Sequence, residues 1–162
     1  MSRVILSLGS NIGDRDANLR HAIKMMFDKG FIKDVVVSDI FENPAMLPQD
    51  GPNEWDLDFF NIALIADTEL SLEDFFNMTK EIEVECGRVS VSRWSPRIID
   101  IDVLFFDDLV IESEICTIPH KDALNREFVM VPLVQIAKNY IYPKEGEFFG
   151  KSIGEIYNSI YA

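Results

Sequence analysis

Apolar positions along this chain follow two rhythms, and the rhythms assign the elements. Val4–Leu8 is a short apolar run and reads as a buried strand, followed by a turn at "GSNIGD". Leu19, Ala22, Ile23, Met26 and Phe27 recur at helical spacing; Asp14 or Asn11 supplies the cap and Gly30 the stop. Val35–Phe41 alternates loosely and is rich in Val and Ile, so it is expected to be the second strand. Asn43–Asp56 carries three prolines and a glycine and reads as a long surface loop, of a length that is usually functional or disordered. Phe59–Ala66 is a third strand. Ser71 with Asp74 then opens a helix with the stripe Leu72, Phe75, Phe76, Thr79, Ile82 and Cys86, closed by Gly87. A second polar loop spans 88–97, and Ile98–Phe106 is the fourth strand. Beyond it, Val110–Ile111 and Thr117–Ile118 are expected as short strands, and Pro132 as the start of a short helix through Ala137. Ser152 and Glu155 cap a last helix carrying Ile153, Ile156, Tyr157 and Ile160.

The core order is strand–helix–strand–strand–helix–strand, the split βαβ arrangement of an α+β, ferredoxin-like fold with an antiparallel or mixed sheet and helices packed on it. With 162 residues, 48% of them hydrophobic, the chain reads as one domain over 1–162 with a substantial core. No apolar segment has the length of a membrane span. The N-terminal apolar run is too short for a signal peptide and lacks a basic flank, so a cytoplasmic protein is expected. Cys86 and Cys116 lack metal-type spacing; reduced thiols are expected, with a disulfide between them as the lesser alternative.

A formal net charge of −13 argues against coating nucleic acid or an anionic membrane. A small anionic substrate stays open, provided basic residues gather locally. They do: Arg88, Arg93 and Arg97 fall within ten residues, in a chain with only 15 Lys and Arg.

Chemistry concentrates in "SRWSPRIIDIDVLFF". Side chains alternate along a strand, so Asp100 and Asp102 share one face, while Ile99, Ile101, Val103 and Phe105 form the apolar row on the other. Two carboxylates in this arrangement can reach one or two hard cations, and Mg²⁺ takes such ligands while keeping positions for phosphate oxygens and water. The plainer reading of a D-x-D pair is two salt bridges on a solvated sheet face. The neighbouring arginines tip the balance, because a Mg–nucleotide site needs carboxylates for metal and guanidinium forks for phosphate. Lys121 and Arg126, near the loop residue His120, make a second basic patch. Phe59 and Asn61 share a strand face suited to a flat heterocycle, although a core Phe with a satisfied Asn fits the pattern as well. Glu83 sits at the edge of its helix's apolar stripe, facing either a groove or solvent. His21 reads as structural or solvated.

Together, "RWSPRIIDIDVLFF" and "IPHKDALNREFVMVPL", with the opening "LSLGSNIGD" and the "FFN" strand, resemble the 6-hydroxymethyl-7,8-dihydropterin pyrophosphokinase family of folate biosynthesis over essentially the whole chain. The resemblance implies transfer of pyrophosphate from ATP, the co-substrate, to the hydroxymethyl group of the pterin, with release of AMP. It implies that Asp100 and Asp102 hold two Mg²⁺ ions and that Arg88 and Arg97 close over the triphosphate. His120 and Arg126 match phosphate contacts, and Lys80, Glu83, Trp94, Thr117 and Lys121 fall on the nucleotide side. Phe59 and Phe128 match an aromatic pair around the pterin, with Asn61 reading its edge and Asn43, Pro44 and Met46 contributing nearby. The loops at 43–56 and 88–97 would act as lids that exclude water. Three departures stand out. Ser90 and Val91 occupy places often basic in bacterial members, Lys121 a place commonly aromatic, and the stretch around Asn43 differs from the usual Thr-containing version. In this pathway the domain can also be fused to, or associated with, the next enzyme. The rival reading is a non-catalytic ferredoxin-like binding module, which needs neither the acid pair nor the clustered arginines.

Overall fold

The N-terminal apolar run becomes strand β1 (Ser2–Ser10), buried along most of its length because both faces of the sheet are covered. The computed structural model describes residues 1–44, 58–87 and 97–161. After β1 come α1 (Arg15–Asp28), β2 (Lys33–Val37), β3 (Phe41–Asn43), β4 (Phe59–Thr68), α2 (Leu72–Glu85) and β5 (Asp100–Phe106). A two-stranded hairpin, β6 (Ile111–Glu112) and β7 (Thr117–Ile118), and helices α3 (Glu127–Ala137) and α4 (Ile153–Tyr161) complete the chain. The main sheet runs β2–β4–β1–β5 with β3 also on β4, and every pairing is antiparallel. This is the ferredoxin-like order expected from the sequence.

Two apolar layers sandwich the sheet. Leu19, Ala22 and Met26 of α1 and Phe75, Met78 and Ile82 of α2 pack with Val4, Leu6, Leu8, Ile62 and Leu64 on one face. Val129, Met130 and Leu133 of α3 and Ile153 and Ile156 of α4 pack with Ile5, Ala63 and Ile65 on the other. The caps form where the sequence puts them. Asp14 Oδ1 accepts the Ala17 N–H at 3.0 Å, and Ser71 Oγ accepts the Asp74 N–H at 3.2 Å. Ser152 and Glu155 make a reciprocal box, each side chain accepting the other's backbone N–H at 3.2 Å. Asn11 does not cap α1; it bonds elsewhere, as described below. His21 is exposed, and so is Phe27 at 55%, outside the stripe assigned to it. Both cysteines are free thiols.

Three expectations need correction. The single strand over Val35–Phe41 is two strands, because Ser38 interrupts the ladder: its Oγ, rather than a backbone carbonyl, accepts the Ala63 N–H at 2.9 Å. The Asp39 N–H then donates to Gln135 of α3 at 2.6 Å. Pro132 does not open α3 but lies inside it. Burial of Val129, Met130 and Leu133 against the sheet outweighs the hydrogen bond that proline forfeits. Phe105 leaves the row of Ile99, Ile101 and Val103, because a register shift between Ile5 and Leu6 of β1 inserts a bulge opposite. Phe105 thus packs under α3 and α4 with Leu104, and Phe106 takes its place on the other face.

Candidate active site

Strand β5 carries Asp100 and Asp102 on the face covered further along by α3, with Gly9 and Ser7 of β1 directly opposite them. These small neighbours leave the carboxylates room, and their side chains are 31% and 35% exposed. Each acid has a basic side chain beside it: Arg97 Nη1 lies 3.6 Å from Asp100 Oδ1, and the His120 ring, through Nε2, lies 3.9 Å from Asp102 Oδ1. Burial, and then the adjacent Asp100 charge, push the Asp102 carboxyl up to about 7; Glu83 adds to the rise, while Lys80 and Arg126 oppose it. An acid held this far up marks a place that favours added positive charge.

His120 is fixed from several sides. Its backbone N–H donates to the Leu104 carbonyl at 2.9 Å, tying the loop to β5. Its Nδ1 accepts the Asp122 N–H at 3.1 Å, so in the neutral ring the proton sits on Nε2, the nitrogen facing Asp102. Burial holds this imidazole below its ordinary pKa; Asp122 opposes the shift, and Arg126 and Lys121 assist it. Arg126 stands at the N-cap position of α3 without a side-chain capping bond and pairs with Asp122 at 2.9 Å.

Glu83 faces inward from α2, its side chain only 3% exposed. Its Oε2 accepts the Ile101 N–H at 2.8 Å, clamping β5 between the two aspartates, and its Oε1 lies 3.6 Å from Lys80 Nζ. A cavity of about 320 Å³ opens beside Asp102, lined by Lys80, Thr117, His120 and Lys121 and walled by the β6–β7 hairpin. Of the residues assigned to the nucleotide side on sequence grounds, Lys80, Thr117, His120 and Lys121 meet at this cavity, although they come from α2, β7 and the segment before α3.

A second group lies on the same face of the sheet. In register, Asn61 of β4 stands between Phe41 of β3 and Gly9 of β1, and Asn43 stands opposite Phe59. Asn61 is buried, and its Nδ2 donates to Asn43 Oδ1 and, at 3.4 Å, to the Phe41 carbonyl. Asn43 in turn donates to the Pro44 carbonyl at 2.9 Å. A Cβ on Gly9 would stand 3.0 Å from Asn61 Oδ1 and 3.3 Å from the Phe59 ring, so only glycine lets these side chains lie across β1. Phe128, in the first turn of α3, is half-buried, with the Arg126 guanidinium 5.8 Å from its ring centre. Met46, Arg88 and Trp94 lie outside the described residues.

Ser7, Gly9 and Asn11 were not assigned to the site from sequence. The available signal was the small and polar residues that interrupt the apolar β1 at alternate positions on one face. Among the described residues, no group of three or more His, Cys, Asp or Glu side chains gathers as a self-sufficient metal cage. Two carboxylates on one strand face are a donor set that suits a hard cation, with phosphate oxygens and water as its other ligands.

Comparison with known proteins supports a definite affiliation. Residues 5–138 match the family described as 7,8-dihydro-6-hydroxymethylpterin-pyrophosphokinase. A folate synthesis bifunctional protein of Chlamydia trachomatis is 37% identical over 156 residues, covering 94% of this chain and 34% of its own length. A 2-amino-4-hydroxy-6-hydroxymethyldihydropteridine pyrophosphokinase of Methylorubrum extorquens is 37% identical over 141 residues, covering 87% of this chain and 86% of its own. The chain thus spans about a third of the bifunctional relatives and most of the shorter ones. Among solved structures, Plasmodium falciparum HPPK-DHPS shares the fold with a TM-score of 0.66 at 16% identity, over 98% of this chain and 44% of that one.

Proposed function

Because the chain belongs to the 7,8-dihydro-6-hydroxymethylpterin-pyrophosphokinase family, we propose that it transfers the pyrophosphoryl group of ATP to the hydroxymethyl group of 6-hydroxymethyl-7,8-dihydropterin, releasing AMP. The observation that carries this reading is one sheet face with two adjoining halves. One half has the acid pair, Arg97 and a cavity rimmed by Lys80, Thr117, His120 and Lys121. The other has Phe59 and the Asn43–Asn61 pair. The first half suits a metal-bound polyphosphate and the second a flat, edge-polar heterocycle, as the transfer requires.

In this reading Asp100 and Asp102 would hold Mg²⁺, two ions in all. Bound there, the metal would neutralise phosphate charge and acidify the pterin hydroxyl. The chain's own residues do the rest. Arg97, with Arg88, stabilises charge on the transferring group. His120, with its proton on Nε2, and Arg126 donate to phosphate oxygens, while Lys80, Lys121, Thr117 and Trp94 serve the nucleotide. Glu83 holds β5 so that both carboxylates keep their spacing. Phe59 and Phe128 stack on the pterin, Asn61 reads its edge, and Asn43, Pro44 and Met46 border it. Free thiols at both cysteines, and the lack of a helix long and apolar enough to cross a membrane among the described residues, accord with a cytoplasmic setting. The bifunctional relatives support fusion to, or association with, the next folate-pathway enzyme.

The test is nucleotide analysis after incubation with ATP, Mg²⁺ and the hydroxymethyldihydropterin. AMP is the expected product. ADP would indicate a conventional kinase, and unchanged ATP would favour the binding module.

A further inference from the structure

The turn between β1 and α1 grips the main chain at the entrance to β5. The β1–β5 ladder ends with Gly9 opposite Asp100. Continued in step, it would set Asn11 opposite Ile98. Instead Asn11 takes hold of Arg97: its backbone N–H donates to the Arg97 carbonyl at 3.1 Å, and its Oδ1 accepts the Arg97 N–H at 2.7 Å. A side-chain oxygen thus stands where a strand carbonyl would. Asn11 is 3% exposed, so water has little access to compete for these bonds.

The turn that carries Asn11 is itself braced. Asn18 Nδ2, on α1, donates to Ser10 Oγ at 3.1 Å and to the Ile12 carbonyl at 2.8 Å, one on each side of Asn11. Gly13 turns the chain at φ +73°, and Asp14 caps the helix one residue later. Asn11 is therefore anchored to α1 and β1 together, and Arg97 is anchored to Asn11.

We propose that Asn11 is a positioning residue that acts through Arg97, holding its main chain so that the guanidinium reaches the phosphates from a fixed origin beside Asp100. The proposal rests on the pyrophosphokinase reading for its activity readout only. With both backbone groups of Arg97 held, the guanidinium moves only by rotation about its side-chain bonds. Losing that origin shifts a charged group relative to the reacting atoms, and misplacements of about 1 Å cost on the order of 10²-fold in rate. Asn61 and Phe59 sit on β4, outside the pair of hydrogen bonds that joins Asn11 to Arg97, so pterin affinity should be spared.

The experiment compares Asn11→Ala, Asn11→Asp, Arg97→Ala and the double variant. Asn11→Ala should lower kcat about 10- to 100-fold with little change in the pterin KM. Asn11→Asp, which keeps the accepting oxygen, should recover most of the loss. The double variant should be no slower than Arg97→Ala, since Asn11 has nothing left to position. Rates in the double that fall by the product of the two single losses would overturn the proposal. Amide exchange in the absence of nucleotide supplies a readout apart from activity: the Arg97 N–H should exchange faster in Asn11→Ala. If the unaltered protein releases no AMP, the pyrophosphokinase reading fails, and the exchange comparison decides alone; unchanged exchange overturns the role of Asn11. If Asn11→Ala does not fold, Asn11→Asp decides: lost turnover with a protected Arg97 amide overturns the proposal, and retained turnover with that protection supports it.

Discussion

Burial, and then the adjacent Asp100 charge, raise the free energy of ionising Asp102. The Asp102 carboxyl titrates at about 7 in the folded chain, against an ordinary value of 3.8. Between these values the folded chain keeps a proton that the unfolded chain has released, so stability falls as pH rises through the window and levels off above it. Asp102→Asn should therefore raise the melting temperature of the metal-free protein, more at pH 8 than at pH 5, by about a few degrees at the higher pH. With Mg²⁺ and a nonhydrolysable nucleotide the order should reverse, because only the carboxylate form gains the ligand. An equal gain at both pH values would contradict the assigned pKa. Asp100→Ala and Asp102→Ala should each cut AMP release by on the order of 10³-fold, with circular dichroism unchanged. Retained turnover in both would remove the metal assignment.

Element β1 shows how a strand serves two purposes at once. Val4, Leu6 and Leu8 face the α1–α2 layer, while Ser7 and Gly9 on the other face make room for the site. A methyl group at residue 9 would press on Asn61 Oδ1 and the Phe59 ring. Gly9→Ala should therefore raise the pterin KM about tenfold while leaving binding of a nonhydrolysable nucleotide near normal, as separate titrations would show. A nucleotide defect of equal size would mean that the two halves are not independent. At this scale the sequence was a good guide wherever the signal is local. The Ser71 and Ser152–Glu155 caps formed as read, and of the two caps open for α1 Asp14 is the one that formed, each between groups within three residues of one another. It misled where a distant contact overrode local habit. Ser38 broke a strand by bonding Ala63, and Pro132 was absorbed into α3 by the packing of its neighbours.

Among the described residues, the sheet is covered on both faces, and the site occupies the end of one face that their cover leaves open. Phe105 lies under α3 and α4, with the Tyr140 ring centre 4.6 Å away. Phe105→Ala should destabilise the protein by about 3–5 kcal/mol, measured by urea unfolding; less than 1 kcal/mol would mean that the α3–α4 layer contributes little to the core. Sequence alone determined the alternation of strands and helices, the Ser71 and Ser152–Glu155 caps and the sharing of a face by Asp100 and Asp102, because periodicity and capping depend on near neighbours in the chain. Tertiary structure decided that Phe105 turns to the other face, that Glu83 clamps Ile101, and that Lys80, Thr117 and His120 converge on Asp102. It also joined Asn11 to Arg97, 86 positions away. These depend on strand register and on which segments meet across the fold, and the spacing of residues within one segment carries no record of either.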